Sequence, residues 1–221
     1  MISQSCLVLI RHGQSTYNKQ NIFTGWKNVA LTEKGIRDAH EAASLLADIT
    51  FTHAFTSHLK RARHTLDIIL KDIHQDLPVT ENISLNERDY GSLVGQNKAE
   101  AAEKYGEDQV QIWRRSYATP PPDGESLEMT AKRSIPYFKD KIEPLLTKNN
   151  NIIVSAHGNS IRSIVMHLHN LSREQILQTE IGWCEPWIYI FENGVRTGFK
   201  IIPRPSSEPQ SHLPEISNSL I

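Results

Sequence analysis

The chain has 221 residues, of which 38% are hydrophobic and 22% are charged, and these values are ordinary for a globular protein. Lys and Arg number 24 and Asp and Glu number 25, so the formal net charge is −1. This balance excludes a broad basic surface for nucleic acid, and the length suits one α/β domain. The two cysteines, Cys6 and Cys184, are too few for a disulfide scaffold or a four-cysteine zinc site.

The N-terminal apolar run is short. It covers residues 6–10 and is followed at once by Arg11 and His12. Five residues are too few for a membrane-spanning helix or for the apolar core of a signal peptide. We therefore predict a cytoplasmic protein without a membrane or nucleic-acid partner.

The first half of the chain alternates between predicted strands and helices. Residues 6–10 read as a strand that is buried on both faces, the kind found inside parallel sheets. A polar loop is expected over about 11–29, and Thr32 is the predicted N-cap of a helix over about 33–48. After a short strand at 54–56, one apolar stripe of a helix is formed by Ala62, Leu66, Ile69, Leu70 and Ile73.

The second half continues the alternation. Residues 97–115 are predicted to be helical with a break near Gly106, and 119–124 to be a loop. Ser126 is the expected cap of a helix that Pro136 kinks and that ends near Leu146. The remaining expected elements are a buried strand at 152–155, a helix at 159–169, two late strands at 187–191 and 198–202, and a mobile tail at 203–221.

This order predicts an α/β fold of three layers, α/β/α, with a mainly parallel central sheet. We expect residues 1–202 to form a single catalytic domain.

A short sequence echo follows the two strands that are predicted to be buried. His12 is followed by Gly-Gln-Ser, and His157 is followed by Gly158, Asn159 and Ser160. Because ligands bind at the carboxyl ends of parallel strands, both histidines are expected in one crevice if the strands are neighbours. The helix that starts near Asn159 directs free N–H groups and a positive dipole end towards it. The echo therefore predicts an anion site, with phosphate the favoured anion.

The same two histidines could instead be metal ligands. No His-Glu-x-x-His pattern, cysteine pair or Asp-x-Asp run supports a metal site. The remaining histidines are interpreted as surface or satisfied interior residues: His40, His53, His58, His64, His74, His167, His169 and His212.

Several motifs together resemble the cofactor-dependent phosphoglycerate mutases of the histidine phosphatase superfamily. The resemblance extends from about residue 6 to about residue 190, and its motifs are highly specific as a set. They are RHGQSTYN at 11–18, FTGW at 23–26, LTEKG at 31–35, TSHLKRA at 56–62, LNERDYG at 85–91, NKAE at 97–100, WRR at 113–115 and AHGNS at 156–160.

The resemblance implies catalytic roles for five residues. His12 is expected to attack a phosphoryl group and to carry it as phosphohistidine, a task that suits a side chain whose pKa lies near neutrality. Arg11, Arg61 and a protonated His157 are expected to stabilise the negative charge on the transferring group. Glu87 matches the family's general acid and base.

The resemblance also implies a substrate with both a phosphate and a second acidic group, for which guanidinium groups offer bidentate partners. The implied binding residues are Arg11, Ser15, Asn18, Thr24, Gly25, Arg61, Glu87, Arg88, Tyr90, Lys98, Arg114, Arg115, Gly158 and Asn159.

The implied reaction is the glycolytic and gluconeogenic interconversion of 3-phosphoglycerate and 2-phosphoglycerate. It would proceed without a metal, through a 2,3-bisphosphoglycerate intermediate, and 2,3-bisphosphoglycerate would prime the enzyme. Family members are commonly dimers or tetramers, so a homodimer or homotetramer is expected. The tail beyond Pro203 is a candidate lid over the site, with a plain disordered terminus as the alternative.

Some features depart from the family pattern. Gln14 stands where Glu is common and Asp89 where His is common, and neither change removes a catalytic group. The short segment between Arg115 and Gly124 predicts an open mouth, and the unusual residues 182–186 put tail docking and oligomer contacts in question.

Two alternative functions are weighed against the mutase interpretation. A phosphatase of the same superfamily would keep the five catalytic residues but not the binding residues at 97–98 and 113–115. A catalytically inactive binding module would lose part of the catalytic set, which is intact here.

Overall fold

A six-stranded sheet forms the centre of the computed structural model, which describes residues 4–215. Its strands lie in the order β3-β2-β4-β1-β5-β6, and the first four of these run parallel to one another. The strands β5 and β6 are antiparallel additions at one edge. The strands are β1 (Gln4–Arg11), β2 (His53–Thr56), β3 (Val79–Glu81), β4 (Asn151–Ala156), β5 (Trp187–Glu192) and β6 (Val195–Ile201).

Helices cover both faces of the sheet. The described residues contain α1 (Thr16–Lys19), α2 (Glu33–Leu45), α3 (Lys60–Asp72), α4 (Lys98–Tyr105), α5 (Glu107–Arg115), α6 (Leu127–Tyr137), α7 (Gly158–His169) and α8 (Arg173–Gln178). The pair α2 and α3 packs on one face of the sheet, and the pair α6 and α7 packs on the other. This confirms the predicted three-layer α/β/α fold with a mainly parallel sheet.

The alternation of side chains along β1 shows why this strand is apolar throughout. Leu7 and Leu9 belong to the core beneath α6 and α7, whereas Val8 and Ile10 belong to the core beneath α2 and α3. All four side chains are fully buried, because a central parallel strand has no solvent-facing side.

Local signals place several helix ends where they were predicted. Thr32 Oγ1 accepts the Gly35 N–H at the start of α2, and Ser126 Oγ accepts the Met129 N–H at the start of α6. Gly106 separates α4 from α5 with a φ of 90°, a conformation that favours glycine. The helix predicted to run to about Leu146 changes type after the proline, since α6 ends one residue after Pro136 and the chain continues as a π turn and a 3₁₀ turn to Thr147.

Within residues 4–215, five short elements were not predicted, among them the 3₁₀ turns Ile83–Leu85 and Gly91–Leu93. The polar stretch 11–29 contains α1, so the interpretation of this stretch as loop throughout is wrong. The strand β3 and the helix α8 are also new; β3 has three residues and α8 has six, too few for hydrophobic periodicity to be visible.

Residues 203–215, here called the C-terminal segment, lie against the preceding part of the chain. Arg204 is fully buried and pairs with Asp38 at 2.6 Å. The backbone N–H groups of Gln210 and Ser211 donate to the Glu185 carboxylate at 2.8 and 2.6 Å. The boundary at residue 202 and the mobility of the tail stay predictions, and residues 216–221 lie outside the described residues.

No helix between residues 4 and 215 has both the length and the apolar character needed to span a bilayer.

Candidate active site

The two echoed histidines lie side by side at the carboxyl ends of neighbouring strands. Because β1 and β4 are parallel with Arg11 opposite Ala156, the next residue of each strand emerges at the same edge. The imidazole rings of His12 and His157 are 5.0 Å apart between centroids and inclined at 60°. The structure thus brings the two histidines into contact, with His12 in the crevice and His157 buried behind it.

His12 is held in one tautomer. Its Nδ1 lies 2.7 Å from the carbonyl oxygen of Gly13, which can only accept, so Nδ1 carries the proton. The Nε of Arg61 donates to Nε2 of His12 at 3.1 Å, so Nε2 presents its lone pair. Burial, and then the charges of Arg61 and Arg11, lower the pKa of His12 well below its ordinary value. The result is a neutral imidazole whose Nε2 is unprotonated and accepts a hydrogen bond from Arg61.

Gly13 lets the His12 loop approach α2 closely. A Cβ on Gly13 would lie 2.2 Å from the carbonyl oxygen of Gly35, a separation that real contacts do not reach. The Gly13 N–H donates to Thr65 Oγ1 at 3.1 Å. Absence of a side chain at this position therefore allows the loop to seat between α2 and α3.

His157 forms the wall behind His12. It is fully buried, and its Nε2 lies 2.7 Å from Ser57 Oγ. Burial lowers the pKa of His157 well below its ordinary value, and the charges of Arg61 and Arg11 lower it further. Without an anion beside it, His157 is therefore neutral at pH 7.

Glu87 is oriented by donors on one of its two oxygens. Its Oε1 accepts the backbone N–H of Arg88 at 2.7 Å, and the backbone N–H and side-chain amide of Asn159 at 3.2 and 3.0 Å. The other oxygen, Oε2, lies close to Gly158, where a Cβ would be 3.8 Å from Oε2 and 3.6 Å from Arg11 Cζ. This arrangement leaves Oε2 as the oxygen that can exchange a proton.

His12 and Glu87 line one cleft of about 240 Å³, here called the cationic cleft. Six of its residues carry positive charge and two carry negative charge. The cations are Arg11, Arg61, Lys98, Arg114, Arg115 and Arg162, and the carboxylates are Glu87 and Glu180.

Burial and the neighbouring positive charges both act on the side chains of the cationic cleft. Burial, and then the charges of Arg114, Arg11 and Arg115, lower the pKa of Lys98 to about 8. The Nε atoms of Arg11 and Arg88 are buried, and within residues 4–215 neither has a hydrogen-bond partner. Unsatisfied donors and crowded cations are stabilised by an anion, so the cleft suits a ligand with more than one acidic group.

Most of the predicted site residues line the cationic cleft. They are Arg11, His12, Asn18, Thr24, Gly25, Arg61, Glu87, Tyr90, Lys98, Arg114, Arg115, Gly158 and Asn159.

Three predicted residues stand behind the lining. His157 lies behind His12, as described above. The Ser15 hydroxyl caps α1, where it accepts the Asn18 N–H at 3.2 Å and donates to Asn18 Oδ1 at 2.9 Å. The Arg88 guanidinium stacks on the Tyr90 ring, with Cζ 4.5 Å from its centroid. Ser15 and Arg88 thus position two lining residues.

The sequence interpretation missed five lining residues: Ile22, Phe23, Arg162, Glu180 and Ile181. A signal existed for Arg162, which lies one helical turn after Asn159 on α7. Burial lowers the pKa of Arg162 to about 10. Nothing in the local sequence around Glu180 indicated a place in the site.

Within residues 4–215, the structure contains no group of three or more His, Cys, Asp or Glu side chains that could hold a metal ion. The prediction that the reaction needs no metal stays a prediction.

Comparison with known proteins identifies the family. The sequence model of the histidine phosphatase superfamily (branch 1) matches residues 7–197. The 2,3-bisphosphoglycerate-dependent phosphoglycerate mutase of Parvibaculum lavamentivorans is 51% identical over 186 residues, which cover 83% of this chain and 89% of that protein. The protein of the same name from Nitrobacter hamburgensis is 51% identical over 191 residues, covering 85% and 92%.

Solved structures share the fold at lower identity. The alpha-ribazole phosphatase of Shigella flexneri superposes with a TM-score of 0.77 at 22% identity, covering 89% of this chain and 95% of that one. The phosphoglycerate mutase of Bacillus anthracis superposes with a TM-score of 0.70 at 23% identity, covering 89% and 92%. Family model and curated relatives together show that the chain belongs to the histidine phosphatase superfamily and, within it, to the 2,3-bisphosphoglycerate-dependent phosphoglycerate mutase family.

Proposed function

We propose that the chain is a mutase that interconverts 3-phosphoglycerate and 2-phosphoglycerate through a phosphohistidine at His12. The observation that carries the proposal is the second group of cations in the cationic cleft. Arg11 and Arg61 adjoin His12, whereas Lys98, Arg114 and Arg115 extend the positive charge to helices α4 and α5. A simple phosphatase needs the first group alone, but a phosphoglycerate occupies both.

The tautomer of His12 supports its role as the nucleophile. Nε2 attacks phosphorus, an N–P bond forms, and the P–O bond to the donor breaks. Arg61 donates to this same nitrogen before the reaction, so its guanidinium already lies where charge develops on the phosphoryl oxygens.

Glu87 completes the proton balance. When the P–O bond breaks, Glu87 gives its proton to the leaving oxygen; in the return step it removes the proton of the attacking hydroxyl, and the N–P bond breaks. The three donors on Oε1 hold the carboxyl so that Oε2 performs both transfers.

His157 acts through its charge. It is neutral in the free site because burial and neighbouring cations lower its pKa. A phosphoryl dianion beside it favours the protonated form, so binding draws a proton onto His157 and adds a cation at the transferring group.

The same residues fit 2,3-bisphosphoglycerate. Arg11 and Arg61 would hold one phosphate, and Lys98, Arg114 and Arg115 would hold the other acidic groups, in line with the unsatisfied Nε of Arg11. When bound, this compound supplies the phosphoryl group that primes His12.

The proposal extends to the setting of the enzyme. The enzyme acts in the cytoplasm in glycolysis and gluconeogenesis, without a metal, and is a homodimer or homotetramer. It has no nucleic-acid or membrane partner. Residues 1–202 form its single catalytic domain, and the tail that starts at residue 203 is either a lid over the site or a plain terminus.

The test is conversion of 3-phosphoglycerate to 2-phosphoglycerate in EDTA, with and without catalytic 2,3-bisphosphoglycerate, while phosphate release is followed in the same samples. We expect isomerisation that requires the bisphosphate, survives EDTA and is lost in His12→Ala. His64→Ala, an exposed histidine outside the cationic cleft, is the matched control and should retain activity. Phosphate release without isomerisation would instead show a phosphatase, and inactivity on both counts a binding module.

A further inference from the structure

Glu180 is a carboxylate of the cationic cleft for which the proposed chemistry has no use. It lies between α8 and β5, and its Oε1 pairs with Nη1 of Arg115. The two side chains are 44% and 41% exposed, so the pair lies at the mouth of the cleft. The other carboxylate, Glu87, is on the floor and only 8% exposed.

The main chain around Glu180 is held in place. Its N–H donates to the carbonyl oxygen of His212 and its carbonyl oxygen accepts the His212 N–H, both at 2.9 Å. The next carbonyl, that of Ile181, accepts Nη1 of Arg11 at 2.8 Å. The Trp183 ring lies 5.3 Å from Arg11 Cζ. Hydrogen bonds to His212 and from Arg11 therefore fix the backbone that places the Glu180 carboxylate at the mouth of the cleft.

Arg115 has one ion-pair partner among residues 4–215, and that partner is Glu180. With Arg114 and Lys98, Arg115 belongs to the group proposed for the second acidic group of the substrate. A substrate carboxylate that reaches Arg115 meets a guanidinium already paired, and two carboxylates repel each other. Substrate and Glu180 therefore compete for the same cation.

We propose that Glu180 is a specificity-determining residue that occupies Arg115 until the second acidic group of the substrate displaces it. The inference rests on the proposed function, since it deepens the description of that site. Glu180 then weakens the binding of ligands with two acidic groups and favours their release. A ligand with a phosphate but no second acidic group does not reach Arg115 and leaves the pair intact.

The test is Glu180→Gln, which keeps the size of the side chain and removes its charge. Dissociation constants are measured by calorimetry for 3-phosphoglycerate and for glycerol 3-phosphate, which carries a hydroxymethyl group in place of the carboxylate. We expect about three- to fivefold tighter binding of 3-phosphoglycerate, the size of one exposed ion pair, and less than about a twofold change for glycerol 3-phosphate.

Two further variants isolate the pair. Glu103→Gln removes an equal charge from an exposed position of α4 outside the cleft, and should alter neither constant. In an Arg115→Gln background, the effect of Glu180→Gln should disappear, because the contested cation is gone.

The direction in which the dissociation constant of 3-phosphoglycerate changes tests the proposal. Weaker binding of 3-phosphoglycerate in Glu180→Gln would show that Glu180 orients Arg115 for the substrate, and equal tightening of both ligands would show a general charge effect; either overturns the proposal. The experiment measures ligand binding, which requires no catalytic turnover. Absence of isomerisation in the unsubstituted enzyme would instead overturn the proposed function.

Discussion

The Nε of Arg61 donates a hydrogen bond to Nε2 of His12 across 3.1 Å. The same guanidinium donates from its other two nitrogens to the carbonyl oxygens of Lys27 and Gly25, each at 3.0 Å. Arg61 therefore joins the nucleophile to the loop that forms one wall of the cationic cleft. A single buried side chain orders the reacting nitrogen and the wall together.

Arg61→Lys tests this double role. A lysine keeps the positive charge but cannot donate in three fixed directions, so we expect phosphorylation of His12 to slow by about 10²- to 10³-fold, as when one preorganised donor is lost. The measurement is the rate of phosphohistidine formation after mixing with 2,3-bisphosphoglycerate. Arg63→Lys, at a partly exposed position on the same helix and outside the cationic cleft, is the matched control and should react at the normal rate. An unimpaired Arg61→Lys enzyme would show that charge alone is sufficient.

Glu87→Gln separates proton transfer from phosphoryl transfer. The amide keeps the shape and can still meet some of the donors at Oε1, but it supplies no proton to a leaving alkoxide. We expect the turnover of 3-phosphoglycerate to fall by about 10²- to 10⁴-fold. Transfer from p-nitrophenyl phosphate to His12 should fall far less, since its leaving group needs no proton.

The comparison of these two substrates gives the readout. Equal losses on both would mean that Glu87 orients the phosphoryl group and does not act as the general acid.

The catalytic centre was predictable because its signals are local. The echo of His-Gly after two apolar strands needed only one further fact, that β1 and β4 are parallel neighbours, and the structure supplies it. The caps Thr32 and Ser126 and the break at Gly106 are equally local, since each acts within three residues of its own position.

The ion pair at the mouth of the cleft was not predictable, because it joins residues that are far apart in the sequence. Glu180 meets Arg115 across 65 positions of sequence, and its backbone is held by His212. Neither contact belongs to a sequence pattern with a period of 2 or 3.6 residues, so neither could be predicted from periodicity. Ser15 shows a related limit, because its motif indicated a binding residue although its hydroxyl caps α1.

Buried neutral histidines make the fold sensitive to acid. Burial, and then the nearby charge of Arg196, lower the pKa of His169 from 6.5 to about 4. The unfolded chain binds a proton at this histidine below pH 6.5 and the folded protein does not, so stability is lost as the pH falls through 6.5. We expect His169 to account for about 1 kcal/mol of the loss between pH 7.5 and pH 5.5.

Urea unfolding of the parent and of His169→Gln at both pH values measures this contribution. Glutamine keeps a polar atom for the Tyr189 hydroxyl, which His169 Nε2 meets at 3.1 Å. The variant should lose about 1 kcal/mol less than the parent over the same interval. Equal losses in the two proteins would place the acid sensitivity elsewhere, in His12 and His157 or in the carboxylates.

The attachment of the C-terminal segment depends on Arg204. Its guanidinium is fully buried and pairs with Asp38 at 2.6 Å and with Glu41 at 3.1 Å, while its Nε donates to the carbonyl oxygen of Trp183 at 2.9 Å. Loss of one partner leaves the Asp38 carboxylate, which is 3% exposed, with Lys34 as its remaining ion-pair partner. We therefore expect Arg204→Gln to lower the free energy of unfolding by about 3–5 kcal/mol.

Limited proteolysis shows whether this loss frees the segment or unfolds the whole protein. If Arg204 is the anchor, cleavage after residue 202 should become much faster in Arg204→Gln, while the catalytic body resists the protease. Glu208→Gln, an exposed neighbour in the same segment, should be cleaved at the parental rate. Rapid cleavage of the parent at this point would show that the tail is mobile despite the Arg204 pair. Glu180, at the mouth of the cationic cleft, is hydrogen-bonded to His212 of the same segment. Release of the segment should therefore also loosen the backbone at Glu180. The KM of the uncleaved Arg204→Gln enzyme for 3-phosphoglycerate should then change as well.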